Sequence, residues 1–328
     1  MERYKMCNLE QIALDLANGF IKVANKETLC YENKLRRIRH NEFSVLTQFN
    51  ETIYTFEGNQ YVLDPVGEIT SGGRNNSRYG SDQYLLECLI AISKVTDKVD
   101  ISLTIGLPCK DHGNDTIKKN IVDKLVGSHI LKIKKNDSEV ARVLEIKDVT
   151  ILCEPVGTLL DLIVDENLHI VPELEESKFL IVDIGHGTMD IIETNGLHIT
   201  NKDHANIGGM TLVQDYLERI NAKYSDTGKV FKESDVTIIP KNKINRYNEE
   251  WDFSQELTNS KKHIANEITS IISQKGYAYE NYDLVVFTGG CCLQINDYLA
   301  VPSNGVIHEN CQTANVNGYK KYAHIMKG

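Results

Sequence analysis

Apolar residues follow two rhythms along this chain, alternation over short runs and three-to-four spacing over longer ones. Gln11 to Leu16, the pair Asn18-Gly19, and Phe20-Ile21-Lys22-Val23-Ala24 predict a β-hairpin, because the side chains of both runs can alternate in and out. After Tyr61-Val62-Leu63, the polar, glycine-bearing stretch Ser71 to Ser81 predicts a loop. Asp82 to Lys94, apolar at 85, 86, 89, 90 and 92, then predicts an amphipathic helix. Val99 to Leu107 is expected to be a buried strand stopped by Gly106 and Pro108, followed by a helix over Thr116 to Val126 that ends at Gly127. Ile130 to Ile133 and Val140 to Ile146 flank the turn Lys135-Asn136-Asp137-Ser138. A further strand, Val149 to Leu152, leads into a helix over Val156 to Asp165.

The acidic link Pro172 to Ser177 marks a restart. Phe179 to Asp183 opens a second strand-turn-strand unit, Ile181 to Glu193, and helices are expected over Thr211 to Ile220 and Ser254 to Ser273. Leu284 to Cys292 holds a last glycine turn, where a buried strand is expected to run into a helix. Both halves thus open with an apolar strand ending in Asp, a glycine-bearing turn and another strand, so two related α/β lobes are implied. The expected division is 1–170 for the first lobe, with a small inserted subdomain near 28–80 and the segment 312–328 packing back on it, and 178–311 for the second.

Composition narrows the function classes. A chain of 328 residues, 41% hydrophobic, can bury cores for two ordinary domains. Its 36 Lys and Arg against 46 Asp and Glu give a net charge of -10, which repels a polyanion over most of the surface and argues against direct nucleic-acid binding. The basic run Lys34 to His40 is short and lacks interleaved aromatics, so a solvated or inter-subunit surface is expected there. No apolar run reaches the roughly 18 residues of a membrane span, and no membrane partner is expected. Eight cysteines at 7, 30, 88, 109, 153, 291, 292 and 311 form no CxxC pair, which fits a reducing cytoplasm. Cys291-Cys292 reads as small buried thiols beside a turn, and His308 with Cys311 lacks the second pair that a metal site needs.

The chemistry concentrates in three turns. The first is Asp15-Leu16-Ala17-Asn18-Gly19-Phe20-Ile21-Lys22, and the second is Asp183-Ile184-Gly185-His186-Gly187-Thr188-Met189-Asp190. Glycine lets a tight turn aim backbone N–H groups at an anion, and an Asp at the strand end can hold water on a magnesium ion. The third, Thr288-Gly289-Gly290-Cys291-Cys292, lets backbone approach a ligand closely and suits a nucleoside. One such turn is an ordinary structural feature; three in order are a stronger signal.

The ordered set resembles the actin, 70-kDa heat-shock chaperone and sugar-kinase superfamily, most specifically at Asp183 to Asp190. Within it the chain is similar to ParM-type bacterial actins through Ile101 to Pro108, Ile146 to Pro155 and Ala314 to Tyr322. The resemblance implies an α/β, actin-like ATPase fold of two RNase H-like lobes and four subdomains with a nucleotide cleft between them. It implies ATP or GTP with Mg2+ as cofactors, polymerisation into filaments, and plasmid segregation through a small DNA-binding adaptor on a centromere-like site. By the same match Asp15, Asn18, Gly19, Phe20 and Lys22 form the first phosphate turn, with Lys22 the cation near the phosphates. Asp183, Gly185, His186, Gly187, Thr188 and Asp190 form the second, aided by Gly208 and Gly209. Thr288, Gly289, Gly290, Cys291 and Lys262 are expected at the adenosine, and Asp15 and Asp183 at Mg2+ through water. Glu154 falls where the family orients the attacking water, and Glu154 and Asp183 are the catalytic candidates.

Blander readings stand beside these. Glu154 with Pro155 can simply start a helix. Glu256, Lys261 and Lys262 can be a solvated helix face, and Gly208-Gly209 a plain helix start. His186 stands where the family more often has glycine, and Cys291-Cys292 replaces small residues. A small-molecule, sugar-type kinase on the same fold is the alternative function, with Glu154 as its base. A chaperone is disfavoured, because the chain stops about ten residues after Asn317-Gly318.

Overall fold

The computed structural model describes residues 9–38, 52–63, 78–246 and 248–327. Cys7, positions 71–77 of the polar stretch, and Arg39 and His40 of the basic run lie outside them. The chain divides into two compact units, one running to Ile170 and resuming at Asn315, the other from Val171 to Ala314.

In the first unit the strands are β1 (Glu10–Leu16), β2 (Phe20–Ala24), β3 (Thr28–Glu32), β4 (Leu35–Arg37), β5 (Thr52–Phe56), β6 (Asn59–Leu63), β7 (Asp100–Leu107), β8 (Gly127–Lys135) and β9 (Ser138–Cys153). Among the described residues they form one sheet in the order β3-β2-β1-β7-β9-β8-β5-β6-β4. Its middle is parallel, with Leu14 beside Ile105 and Leu107 beside Cys153, so β1, β7 and β9 all end at one side of the sheet. Crossover helices make that possible: α1 (Asp82–Val95), the single-turn α2 (Cys109–His112), α3 (Asp115–Leu125) and α4 (Glu154–Ile163). Side chains fix the starts of two of them. Ser81 accepts the Tyr84 N–H, and Asn114 accepts those of Thr116 and Ile117. The middle of α1, Tyr84 to Ile92, is buried throughout, and its Leu85, Leu86, Leu89 and Ile92 join Ile12, Leu14, Leu103 and Ile105 in the core.

The second unit has β10 (Lys178–Ile184), β11 (Met189–Asn195), β12 (His198–Ala205), α5 (Gly209–Lys223), β13 (Lys243–Arg246), β14 (Glu249–Asp252), α6 (Ser254–Gln274), β15 (Leu284–Thr288), α7 (Cys292–Ile295) and β16 (Gly305–Ile307). The main sheet runs β12-β11-β10-β15-β16, again with a parallel middle, and β13 pairs β14 as a separate ribbon. One core lies between this sheet and α6, through Ile264, Ile268 and Ile272. A smaller one is largely aromatic, with Tyr216, Phe231 and Phe253 joined by Tyr224 and Trp251. The last helix, α8 (Ala314–Lys327), belongs to the first unit from Asn315 on, where Val316 and Tyr319 pack on Ala13 and Ala24.

Three expectations need correction, and four elements were not expected. Val140 to Ile146 and Val149 to Leu152 are one 16-residue strand, β9, whose break in apolar pattern at Lys147-Asp148 coincides with a register shift against β7. The helix expected from Val156 begins earlier, at Glu154, so Glu154 is its first residue and Cys153 its cap. The basic run is not a solvated surface throughout, since Leu35 is core and Lys34 is buried with its Nζ 2.8 Å from Glu32. Finally, β12, β13, β14 and α8 carry too little apolar periodicity to have been expected as elements. Among the described residues no helix is long and apolar enough to cross a membrane.

Candidate functional site

Each unit places its acidic hairpin at the carboxyl end of its central parallel strands, where α/β sheets hold ligands. In the first unit Asp15 closes β1 and Lys22 faces it across the hairpin. Lys22 Nζ lies 2.9 Å from Asp15 Oδ2, and both side chains are buried. The turn of residues 17–19 is tied down on both strands. Asn33 donates its side-chain amide to Ala17 O at 3.2 Å and its backbone N–H to Gly19 O at 2.9 Å. Arg78 donates to Leu16 O at 2.6 Å. Its other terminal nitrogen meets the buried Glu87 carboxylate at 2.7 Å, and its guanidinium stacks over the Tyr84 ring. Asn18 keeps its side-chain oxygen buried and without a partner among the described residues, an orphaned polar atom in the middle of the turn. Phe20 is half-buried at the start of β2.

At the same end of the sheet, the ends of β7 and β9 bring in acidic groups. Glu154 opens α4, and its carbonyl accepts the Tyr319 hydroxyl at 3.1 Å. Asp111, on α2, accepts the Tyr79 hydroxyl at 3.1 Å. Burial first, then the charges of Glu154 and Asp111, hold the Tyr79 phenol well above its ordinary range, so it remains a donor. Arg78, Tyr79 and Asp111 were not foreseen. Their only trace in sequence is polarity near Gly80 and Pro108, which any loop shares.

In the second unit the hairpin repeats the frame with a different charge. Asp183 again faces a residue seven positions on, but here it is Asp190. Both carboxylates are buried, and Thr188 Oγ1 donates to Asp190 at 3.0 Å. Gly185 N donates to Thr188 O at 2.8 Å and closes the turn around His186 and Gly187. The start of α5 docks on that turn, with Gly209 N on Gly185 O at 3.1 Å and Met210 N on His186 O at 2.7 Å. A Cβ at Gly208 would run into Gly185 O, and one at Gly209 would sit 2.9 Å from His186 Nδ1, so this approach requires glycine. The third turn joins them. Thr288 lies beside Asp183 in register, and Gly289, at φ +92°, leaves no room for a Cβ beside the Asp183 carboxylate and Ile184 O. Cys291 N donates to Ile184 O at 3.0 Å, while its thiol is buried and pushed up to about 12 by desolvation.

The structure thus gathers Asp15, Asn18, Gly19, Phe20 and Lys22 in one cluster, and Glu154 at the same sheet end. It gathers Asp183, Gly185, His186, Gly187, Thr188, Asp190, Gly208, Gly209, Thr288, Gly289, Gly290 and Cys291 in another. Lys262 is not drawn into that second cluster by any contact described; its ammonium lies 5.7 Å from the Tyr298 ring centre. Its neighbour Lys261, with Ser254, Thr258, Lys241 and Tyr298, lines a cavity of about 430 Å3. Glu256 pairs instead with Lys223 at 2.6 Å.

The donor set of the second unit suits a divalent cation: Asp183, one of the two carboxylates expected at Mg2+, is buried beside Asp190, and magnesium is satisfied by one or two carboxylates, water and phosphate oxygens, whereas Asp15, the other, is paired with Lys22. Among the described residues no three His, Cys, Asp or Glu side chains form a closed metal cage. The orphaned Asn18 oxygen and the glycine turns suit a hydrated metal and an anion.

Comparison with known proteins agrees with this fold. Residues 13–157 match the model for the N-terminal domain of actin-like proteins. No curated protein matches the sequence. Among solved structures the chain is similar to the apo pSK41 ParM protein, at 19% identity and TM-score 0.68 over 98% of each chain. It is similar to the ParM of a 15-stranded filament from Clostridium botulinum, at 15% identity and TM-score 0.76, covering 97% of this chain and 99% of that one. It is also similar to an archaeal actin homologue in complex with ADP, at 16% identity and TM-score 0.74, over 97% and 100%. At such identities the likeness speaks for fold. The chain therefore has an actin-like fold over its length, and its residues 13–157 match the N-terminal domain of actin-like proteins.

Proposed function

We propose that this chain is a ParM-type ATPase that binds ATP or GTP with Mg2+, hydrolyses it and polymerises into dynamic filaments. In this reading it works in the cytoplasm and moves plasmid DNA through a small DNA-binding adaptor. The observation that carries the reading is the repeated acidic hairpin, Asp15 with Lys22 in one unit and Asp183 with Asp190 in the other, each at the carboxyl end of parallel strands. The fold likeness to a ParM filament and to an ADP-bound actin homologue supports it.

In this reading Asn18, Gly19, Phe20 and Lys22 of the first unit, and Gly185, His186, Gly187, Thr188, Gly208 and Gly209 of the second, bind phosphate, with Asp190 beside Thr188 in the second turn. Gly289, Gly290, Thr288, Cys291 and Lys262 serve the nucleoside. Asp15 and Asp183 would hold Mg2+ through water, and the ion supplies charge neutralisation at the transferring phosphoryl group. Glu154, fixed at the start of α4, orients the attacking water, a task of positioning more than of proton transfer.

The deciding experiment is calorimetry of the intact protein with ATP and Mg2+, paired with light scattering and electron microscopy of the same mixture. Saturable binding, a scattering rise and visible filaments are expected. Absence of nucleotide uptake would remove the whole reading. Uptake with phosphate transfer to a small molecule and no scattering would put the kinase in its place. Glu154→Ala is expected to slow phosphate release by about 100-fold, the scale of a lost positioning group, and to lengthen filament life; unchanged turnover removes Glu154 from the mechanism.

A further inference from the structure

Two cysteines 44 positions apart meet in the first unit. Cys109 opens α2 directly after Pro108, where β7 ends, and Cys153 is the last residue of β9 and the cap of α4. The parallel register sets Leu107 beside Cys153, so the two strands deliver the thiols side by side. Their sulfurs are 3.1 Å apart, and both residues are at least 96% buried, Cys109 with 4% and Cys153 with 2% of its surface exposed. A disulfide needs about 2.05 Å, about one ångström closer than the two sulfurs stand. The chain around Cys109 is a single helical turn in which Lys110 is exposed, followed by the exposed Gly113, and short exposed turns of this kind are among the segments that open locally.

We propose that Cys109 and Cys153 are a reversible oxidation site, converted to an intramolecular disulfide by exchange with a small-molecule disulfide of the glutathione type. One thiolate attacks the reagent's sulfur–sulfur bond and releases one small thiol, forming a mixed disulfide. The second thiolate displaces the other small thiol and closes the Cys109–Cys153 bond. The protein loses two electrons and the reagent gains them, and the two cysteine protons end on the two released thiols. The bond ties the start of α2, with Asp111, to the start of α4, with Glu154, and so fixes the two acidic groups that flank Tyr79. Formation of the bond is independent of the ATPase reading; only its bearing on Glu154 rests on that reading.

The test is peptide mapping by mass spectrometry, without reduction, of the intact folded protein after incubation with oxidised glutathione and acid quenching. The exposed Cys30 reports that the reagent is active by forming a mixed adduct. A Cys109–Cys153 linked peptide is expected, two hydrogens lighter than the free pair and reversed by dithiothreitol. The linked form is expected to melt several degrees higher, because the bond shortens the accessible unfolded chain. Cys109→Ser is expected to abolish the link and this rise together. Free thiols or glutathione adducts at both positions in the folded protein, or a link that forms only in urea, would overturn the proposal. The reading needs no variant to fold and no nucleotide to bind, so it fails separately from the proposed function.

Discussion

At the scale of single residues, the buried pair Asp15 and Lys22 carries a structural demand beside the functional one proposed for it. Their 2.9 Å contact is shielded from water, so removing Lys22 takes from the buried Asp15 carboxylate the cation beside it. That costs about 3 kcal/mol or more, far above the loss of a surface pair. Lys22→Ala is therefore expected to lower unfolding stability by about 3 kcal/mol, measured as a drop in the urea midpoint at unchanged slope. Asp15→Asn with Lys22→Met, which removes both charges, is expected to recover most of the loss. Recovery of stability without recovery of nucleotide binding would separate the two demands on the pair. Residues of this kind are legible in sequence because they are local: Asp15 and Lys22, like Asp183 and Asp190, are seven apart in one hairpin. Arg78, Tyr79 and Asp111 are not legible, since Arg78 reaches Leu16 from 62 positions away and Tyr79 meets Asp111 across 32. The same distance in sequence hid the Cys109–Cys153 pair from a search for close spacings.

At the scale of elements, α4 is held to α8 by backbone contact more than by apolar side chains. A Cβ at Gly318 would overlap Gly157 O, and one at Gly157 would come within 2.5 Å of Asn315 Cα. Asn315 Oδ1 accepts both the Thr158 N–H, at 3.1 Å, and the Thr158 hydroxyl, at 2.8 Å. Lys321 Nζ caps the end of α4 through Asp161 O and Val164 O, both at 2.8 Å. Since Glu154 is the first residue of α4, α8 sets its height against the sheet. Gly318→Ala must push the helices apart and is expected to cost about 3 kcal/mol, the upper end of overpacking, seen as a lower melting temperature. If Gly318→Ala melts like the parent, the close crossing is not what holds α4. The crossing explains why the hairpins, α1, α3 and α6 were readable in advance and α8 was not. An apolar stripe announces a helix that buries side chains, whereas α8 offers Asn315, Asn317 and Gly318, residues that usually signal a turn. β9 was split for a related reason, as Lys147 and Asp148 interrupt its apolar run where the register shifts.

At the scale of the whole molecule, the acidic balance that argued against direct DNA binding also bears on self-assembly. Each subunit carries a net charge of -10, so bringing copies together in a filament costs repulsion that grows with every subunit added. Dissolved salt weakens that repulsion, because the screening length falls from about 30 Å at 0.01 M to about 8 Å at 0.15 M. Burial of apolar surface between copies is not weakened by the same change. Polymerisation with ATP and Mg2+, if the proposed function holds, is therefore expected to be poor at low ionic strength and to strengthen towards physiological salt, with a critical concentration that falls at least threefold. Sedimentation of the pure protein across a potassium chloride series, at fixed nucleotide and magnesium, measures it. A critical concentration that rises with salt instead would mean that complementary charge pairs, not apolar contacts, hold the copies together, and would place the interface on the mixed-charge surfaces of the molecule.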